Sequence, residues 1–242
     1  NRMTDRLTKS YEERIRLGRE AAVGRLAENV AHHINNPLAI MQLTLELAED
    51  GKPDCRQLLA DMHTQVQRIT KAVRTVTTFA QQRHGAGDNA PAAEVIGNLC
   101  ALQLASFIAA DVQLELAVTE GDYQAACTGA DLQELAIHLL NNARESCIEA
   151  RRLGQQRDFR VQLALTPEAG DLVLTVTDNG EGFGEHLAAA FEPFYTTRVQ
   201  GFGLGLAICR RICDQHGGSI RAESPAGGGA CVTVRLPRLQ PQ

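Results

Sequence analysis

Residues 177–182 read Thr-Asp-Asn-Gly-Glu-Gly, TDNGEG, directly after the run Leu172-Val173-Leu174-Thr175-Val176. The apolar, β-branched run predicts a strand near Leu172 to Thr177, so Asp178 stands at a strand's end with Gly180 and Gly182 close behind. Asn-Gly supplies the positive φ angles of a tight hairpin turn. The same glycines would let a ligand lie against bare backbone. Taken alone, the stretch is balanced between a turn and a site, and its neighbours have to decide.

Two more stretches carry polar or glycine-rich chemistry. Gly201-Phe202-Gly203-Leu204-Gly205-Leu206, GFGLGL, opens a helix expected from about Gly203 to His216. Closely spaced glycines at a helix start bring backbone N–H groups to an anion, and the helix dipole favours negative charge there. A dinucleotide-binding fingerprint is excluded because no strand immediately precedes it. The third stretch, Leu139 to Ser146, reads LLNNARES inside a helix expected from about Ala130 to Arg152. Asparagine is a middling helix former with no apolar payload, so the pair suits either metal coordination or a solvated face.

Taken in order, Asn142, then Asp178 with Gly180 and Gly182, then Phe191-Glu192-Pro193-Phe194, then Gly201, Gly203 and Gly205, the series resembles the N, G1, F and G2 boxes of the histidine-kinase ATP-binding domain. That domain belongs to the Bergerat-fold ATPases, shared with type II topoisomerases, a heat-shock chaperone and the mismatch-repair protein MutL. The resemblance covers Ala92 to Pro237, and the closing GGGACVTVRLP looks like the family's final hairpin.

The resemblance implies that Asp178 accepts a hydrogen bond from the adenine amino group while Gly180 and Gly182 admit the base. Asn142 would be a ligand of Mg²⁺ bridging the ATP phosphates, an oxygen-donor role suited to that hard ion. The segment from Phe183 to Gln200 would be a lid. Within it Thr196, Thr197 and Arg198 would meet the terminal phosphates, and Gly201, Gly203, Leu204 and Gly205 would offer backbone contacts. Arg144 matches the arginine that often follows the N-box alanine in nitrogen-regulation sensor kinases. Two positions depart from the family: His138 stands four before Asn142, where another asparagine is common, and Ala230 stands where Thr or Ser usually lies near adenine.

Upstream the pattern is helical. From Asn1 to about Asp50 the chain is charged, with Pro37 its one proline, and Met3, Leu7, Tyr11 and Ile15 recur four apart. Gly51-Lys52-Pro53-Asp54 then supplies a stop and a cap. A second helix is expected from about Asp54 to Gln82, its apolar stripe made of Leu58, Leu59, Met62, Val66, Ile69, Val73 and Val76. Such a hairpin has too little core to stand alone and should pair with a second copy as a four-helix bundle, hence a homodimer.

The first of these helices carries Val30 to Leu38, VAHHINNPL, which resembles the H box of histidine kinases. In that alignment His32 is the phosphoacceptor, and His33 replaces the usual Glu or Asp that orients the imidazole and takes its proton. Asn36 matches the position where relatives hold water to dephosphorylate a response regulator. Ile34, Leu38, Met41, Leu45 and Ala48 step by fours and threes toward an expected bundle core, which turns His32 roughly the opposite way at about 100° per residue. Pro37 cannot donate to the His33 carbonyl and predicts a hinge one turn beyond the acceptor.

Composition bounds the rest. The 242 residues carry 24 basic and 29 acidic side chains, a net charge of −5, which argues against a nucleic-acid partner. Seven scattered cysteines without C-x-x-C suit reduced thiols in a cytosolic compartment; Cys209 and Cys213, one turn apart, are expected as buried thiols rather than metal ligands. The apolar stretch Leu99 to Val112 is too short to cross a bilayer. Asn1 to Leu7 looks like the tail of a HAMP relay helix, which implies membrane anchoring only through segments absent from this chain, on the cytoplasmic side of the bacterial inner membrane.

The expected organisation is α+β. A signalling helix (1–22) leads to a dimerisation and phosphotransfer hairpin (23–84), a linker (85–91) and an α/β sandwich ATP-binding domain (92–242). The expected activity is ATP-dependent autophosphorylation of His32 and transfer to a response-regulator aspartate, with regulator phosphatase activity. The competing expectation is a nucleotide-binding scaffold or phosphatase without autokinase activity. A topoisomerase- or chaperone-type ATPase is disfavoured by the H-box hairpin.

Overall fold

The computed structural model describes residues 31, 34–48, 55–80, 91–119, 123–198, 201–225 and 227–239. His32, His33, the HAMP-like stretch and the interhelical stop lie outside the described residues. The chain divides into two compact units, Asn1–Gln82 with Thr196–Leu204, and Arg83–Tyr195 with Gly205–Gln242.

The first unit contains helix α1 over 34–48 and helix α2, Cys55–Ala80. The α1 assignment runs through Pro37 without interruption, and Pro37 is buried. Of the five residues expected to face a core, Ile34, Met41 and Ala48 are half-buried, whereas Leu38 and Leu45 expose 42% and 51% of their surface. The inward stripe passes instead through Ile34, Pro37, Met41, Thr44 and Ala48, displaced by one position. A helix carrying two adjacent apolar ladders can bury only one of them within a single hairpin. In α2 the inward side is Leu58, Met62, Gln65 and Ile69, while Leu59, Val66 and Val73 remain exposed.

The second unit is a five-stranded mixed sheet with helices. In chain order it holds α3 (Ala92–Ala109), β1 (Gln113–Val118), α4 (Gly129–Arg152), β2 (Arg160–Glu168), β3 (Asp171–Asp178), a 3₁₀ turn (Gly184–Ala189), α5 (Gly205–Gln215), β4 (Ser219–Glu223) and β5 (Ala230–Pro237). Spatial order is β1-β2-β3-β5-β4, with β1 parallel to β2 and the other pairs antiparallel. Tyr123 to Cys127 forms no strand of the sheet. Its ladder contact is a bridge from Ala125 to Arg238, after which Thr128 caps α4 and commits the chain to helix.

Period-2 alternation sorts the sheet's faces. Val161, Leu163 and Leu165 of β2, Leu172, Leu174 and Val176 of β3, and Val232, Val234 and Leu236 of β5 are buried. They meet Leu132, Leu135, Ala136, Leu139, Leu140 and Ala143 of α4 and Ile208 and Ile212 of α5 in the core. Helix α3 contributes Ile96, Leu99 and Phe107. It is also the described helix long and apolar enough to cross a membrane by length and composition, with mean hydropathy 1.5, so the apolar run is longer than Leu99 to Val112 suggests.

The start of α4 and the end of α5 are closed by specific caps. Thr128 Oγ1 accepts the Asp131 N–H at 3.1 Å, an N-cap bond. Helix α5 ends with Gly217 at φ 66; the Gly218 N–H donates to the Cys213 carbonyl at 2.8 Å and the Gly217 N–H points to that of Asp214 at 3.4 Å. This is a Schellman stop, with His216 as its C-cap.

Candidate nucleotide-binding site

Asp178 continues the row Leu172, Leu174, Val176, so period 2 turns it to the helix-covered face at the sheet's end. It is only 6% exposed. A carboxylate there requires donors. Oδ1 receives the Ser146 hydroxyl at 2.9 Å and the Gly180 N–H at 2.9 Å. The Ser146 oxygen in turn accepts the Gly182 N–H at 3.2 Å, and the Ser146 carbonyl accepts the Glu181 N–H at 3.3 Å. The loop after β3 is therefore sewn to α4, and the hairpin-turn reading of Asp-Asn-Gly is excluded: β3 pairs with β2 and β5, and 179–183 leads into the 3₁₀ turn.

The glycines are required by closeness. A Cβ on Gly180 would lie 2.5 Å from Ser146 Oγ and 2.6 Å from Cys147 N. Gly182, at φ 81, would collide with the carbonyl oxygen of Gly229. Gly229, at φ 85, would collide with the Asp178 backbone, which accounts for the glycine run before β5. Ala230 is the direct cross-strand partner of Asp178 and is buried, so the departure from Thr or Ser places a methyl group beside the carboxylate. Burial pushes the Cys147 thiol up to about 12, with the Asp178 charge adding to the rise.

Asn142 lies on the same helix one turn before Ser146. Its carboxamide borders the start of α5: a Cβ on Gly205 would sit 3.3 Å from Asn142 Nδ2, 3.5 Å from its Oδ1 and 3.6 Å from His138 Nδ1. Bare backbone at a helix N-terminus beside a carboxamide oxygen fits a hard cation and the phosphates it would bridge. His138 brings an imidazole to this corner, 4.0 Å from Glu134 Oε1 through Nε2. Cys209 and Cys213 are buried as free thiols.

The structure thus brings Asn142, Asp178, Gly180, Gly182 and Gly205 into one unit. Thr196, Thr197, Arg198, Gly201, Gly203 and Leu204 fall in the other. There Thr196 Oγ1 accepts the Arg198 N–H at 3.1 Å, and the Gly201 N–H reaches the Arg198 carbonyl at 3.2 Å. Gly203 adopts φ 63 and Leu204 is buried. Phe191 and Glu192 are anchored on α5 by Arg210, whose guanidinium lies 5.2 Å from the Phe191 ring centroid and 3.9 Å from the Glu192 carboxylate. Arg144 packs 5.8 Å over Phe107 and donates to Asn141 at 3.1 Å. Asn36 is exposed on α1.

Sequence reasoning missed Ser146. It stands at the end of the LLNNARES stretch, four residues after Asn142 and therefore on the same helix face, a spacing that could have singled it out.

Two family models match the chain. Residues 22–85 match the His Kinase A (phospho-acceptor) domain, and residues 128–240 match the histidine kinase-, DNA gyrase B- and HSP90-like ATPase. The C4-dicarboxylate transport sensor protein DctS of Rhodobacter capsulatus is 31% identical over 243 residues, covering 96% of this chain and 36% of the relative. Sensor histidine kinase ZraS of Klebsiella oxytoca is 34% identical over 226 residues, covering 89% and 46%. The crystal structure of histidine kinase ThkA in complex with response regulator protein TrrA matches with a TM-score of 0.74 at 21% identity, covering 95% of this chain and 66% of that one; the likeness is one of fold. The chain spans under half the length of the curated relatives it matches. With a phospho-acceptor domain followed by this ATPase domain, and with the sewn Asp178 loop inside the second, the chain belongs to the two-component sensor histidine kinase family.

Proposed function

We propose that this chain is the catalytic core of a sensor that phosphorylates itself on His32 from ATP and passes the phosphoryl group to an aspartate of a response regulator. The observation that carries the nucleotide half is the buried Asp178, held by Ser146 and Gly180 at the mouth of a glycine-lined loop. A carboxylate there selects adenine by accepting from its amino group, a donor that guanine does not offer at that position. Gly180 and Gly182 leave room for the base, Gly201, Gly203, Leu204 and Gly205 offer backbone N–H groups to the phosphates, and Thr196, Thr197 and Arg198 meet the terminal phosphate. Asn142 holds Mg²⁺ through its carboxamide oxygen; the ion, when bound, neutralises phosphate charge during transfer.

His32 attacks the γ-phosphorus through an unprotonated ring nitrogen. The new N–P bond forms as the bond to the β-phosphate oxygen breaks, and ADP leaves. His33 takes the proton from the other ring nitrogen; a neutral imidazole is able to do so with a pKa near neutrality. Asn36 positions water for dephosphorylating the regulator, and Pro37 acts as the hinge that couples upstream helix motion to the acceptor. The leucines left exposed on α1 and α2, among them Leu38, Leu45 and Leu59, support a homodimer that buries them in a four-helix bundle. The proposed division keeps 1–22 as a signalling helix, 23–84 as the phosphotransfer hairpin, 85–91 as linker and 92–242 as the catalytic domain. We place it on the cytoplasmic side of the inner membrane, anchored through segments outside this chain.

A second reading is a nucleotide-binding scaffold or phosphatase that has lost autokinase activity, favoured by His138 beside Asn142 and by Ala230 beside Asp178. Incubation with γ-labelled ATP and Mg²⁺ separates the two. Acid-labile, alkali-stable label on the protein, lost in His32→Ala, is the expected result. Nucleotide binding without label leaves the scaffold, and released phosphate alone means a plain ATPase.

A further inference from the structure

Helices α4 and α5 run antiparallel, and their contacts form a ladder. At one end Gly205 lies against Asn142 and His138. Farther along, the Cys209 thiol is 3.7 Å from the Leu135 carbonyl oxygen. At the other end His216 Nε2 meets Asp131 Oδ2 at 3.0 Å, with both side chains mostly buried. Gly205 to His216 is eleven residues, and so is Asp131 to Asn142. Eleven residues make about three turns and roughly 16 Å of rise, so each helix returns to the same face between its two rungs. The distance from the His216 contact to the glycine at the start of α5 therefore matches that from Asp131 to Asn142.

Between the end rungs the Cys209 thiol is a weak donor at 3.7 Å and the remaining contacts are apolar, so they fix register poorly. Helix α5 buries Leu206, Ala207, Ile208, Cys209, Ile212 and Cys213, and apolar burial is non-directional. The His216 rung is directional and rigidly mounted. His216 is the C-cap of α5, its own N–H still bonded to the Ile212 and Cys213 carbonyls. Asp131 lies in the first turn of α4, where its Oδ2 also receives the Thr128 hydroxyl at 2.8 Å. A carboxylate at a helix N-terminus, as Asp131 is, complements the local dipole.

We propose that the His216–Asp131 contact is a positioning clamp for the nucleotide site: it sets where the glycine start of α5 lies against Asn142, three turns away. His216 touches neither nucleotide nor metal and acts through the α5 rod. The inference rests on the nucleotide reading of the site given above.

The test is calorimetric titration of the full chain with the imido analogue of ATP and Mg²⁺, run well below each variant's melting midpoint. His216→Ala and Asp131→Ala are each expected to weaken Kd roughly ten-fold, the equivalent of one lost charge-assisted contact. The double variant should lose no more than either single one, because both changes remove the same rung. His216→Gln, whose amide reaches the Nε2 position and donates, should retain wild-type affinity. Where His216→Ala does not hold its fold, His216→Gln is compared with His216→Asn, which is too short to reach Asp131; only the first should bind normally. Folded His216→Ala with a lowered melting midpoint but wild-type Kd, or equal affinity in the Gln and Asn variants, overturns the clamp alone. Absence of binding by the wild-type chain overturns the nucleotide reading, and the clamp with it.

Discussion

The Ser146 hydroxyl donates to Asp178 Oδ1 across 2.9 Å, joining the middle of α4 to the end of β3 inside the core. A carboxylate only 6% exposed is oriented by such donors, and Ser146 also accepts the Gly182 N–H. Ser146→Ala would leave Asp178 one donor short and the Gly182 N–H without this acceptor. The expected cost is about 1–3 kcal/mol of nucleotide binding, or roughly five- to 150-fold in Kd. Titration with ADP checks it, and unchanged affinity in a folded variant would show that Ser146 does not orient the carboxylate.

Gly180→Ala tests the closeness of the loop to α4. The new methyl would fall 2.6 Å from the Cys147 amide nitrogen, which is helix backbone and cannot swing aside. Overpacking of this kind costs about 1–3 kcal/mol, so both the melting temperature and nucleotide affinity should fall. Gly154→Ala serves as a control for stability only: nothing lies within 4 Å of its Cβ position, although φ 85 makes the substitution strained.

The buried thiols predict an alkaline limit. Burial, as the largest cause in each, pushes Cys127, Cys147 and Cys213 up to about 12 from an ordinary 9.0. The folded state thus holds them neutral while the unfolded chain ionises them from about pH 9. Their contribution is fully present below that value and is lost as pH rises from about 9 toward 12. Each costs about 1.4 kcal/mol per pH unit in that window, so the three together give about 4. Urea unfolding at pH 8 and pH 10 should show the loss, and Cys213→Ala should flatten it in part, since the buried Cys209 thiol, also raised well above 9.0, still contributes. Equal stability at the two pH values would contradict the burial assignment.

Asn36 is exposed on α1 one turn beyond His32 in sequence. Asn36→Ala should reduce dephosphorylation of a phosphorylated receiver domain by about ten-fold or more while autophosphorylation continues, since it removes a water-positioning group and no part of the nucleotide site. An unchanged dephosphorylation rate refutes the role.

What the sequence made legible follows from periodicity and chemistry. The continuous apolar pattern of 92–109 gives α3, and the bounds of β4, Ser219–Glu223, match the alternation there. Helix α5 starts two residues after the expected Gly203 because φ 63 at that glycine is incompatible with a helix. Tyr123 to Cys127 alternates like a strand, but alternation reports only a possible face, and here the Thr128 cap follows before a ladder can form. In the hairpin the two apolar ladders of α1 are indistinguishable by pattern, and packing selects the one through Pro37 and Thr44. Asp178, Gly180, Gly182 and Asn142 were legible as a set because their order resembles the boxes of the histidine-kinase ATP-binding domain; alone, each stretch had an ordinary reading as a turn or a solvated face. Ser146 was not read as part of the site: its spacing from Asn142 places it on the same helix face, but its role depends on a partner 32 residues away.

The most direct test of the account is to locate the phosphoryl group on the chain after incubation with γ-labelled ATP and Mg²⁺, by peptide mapping under neutral or alkaline conditions. The account predicts label on His32, abolished by His32→Gln and by Asp178→Asn, and retained at or above the wild-type level in His33→Glu. Label on His33, or label that persists in His32→Gln, would contradict it.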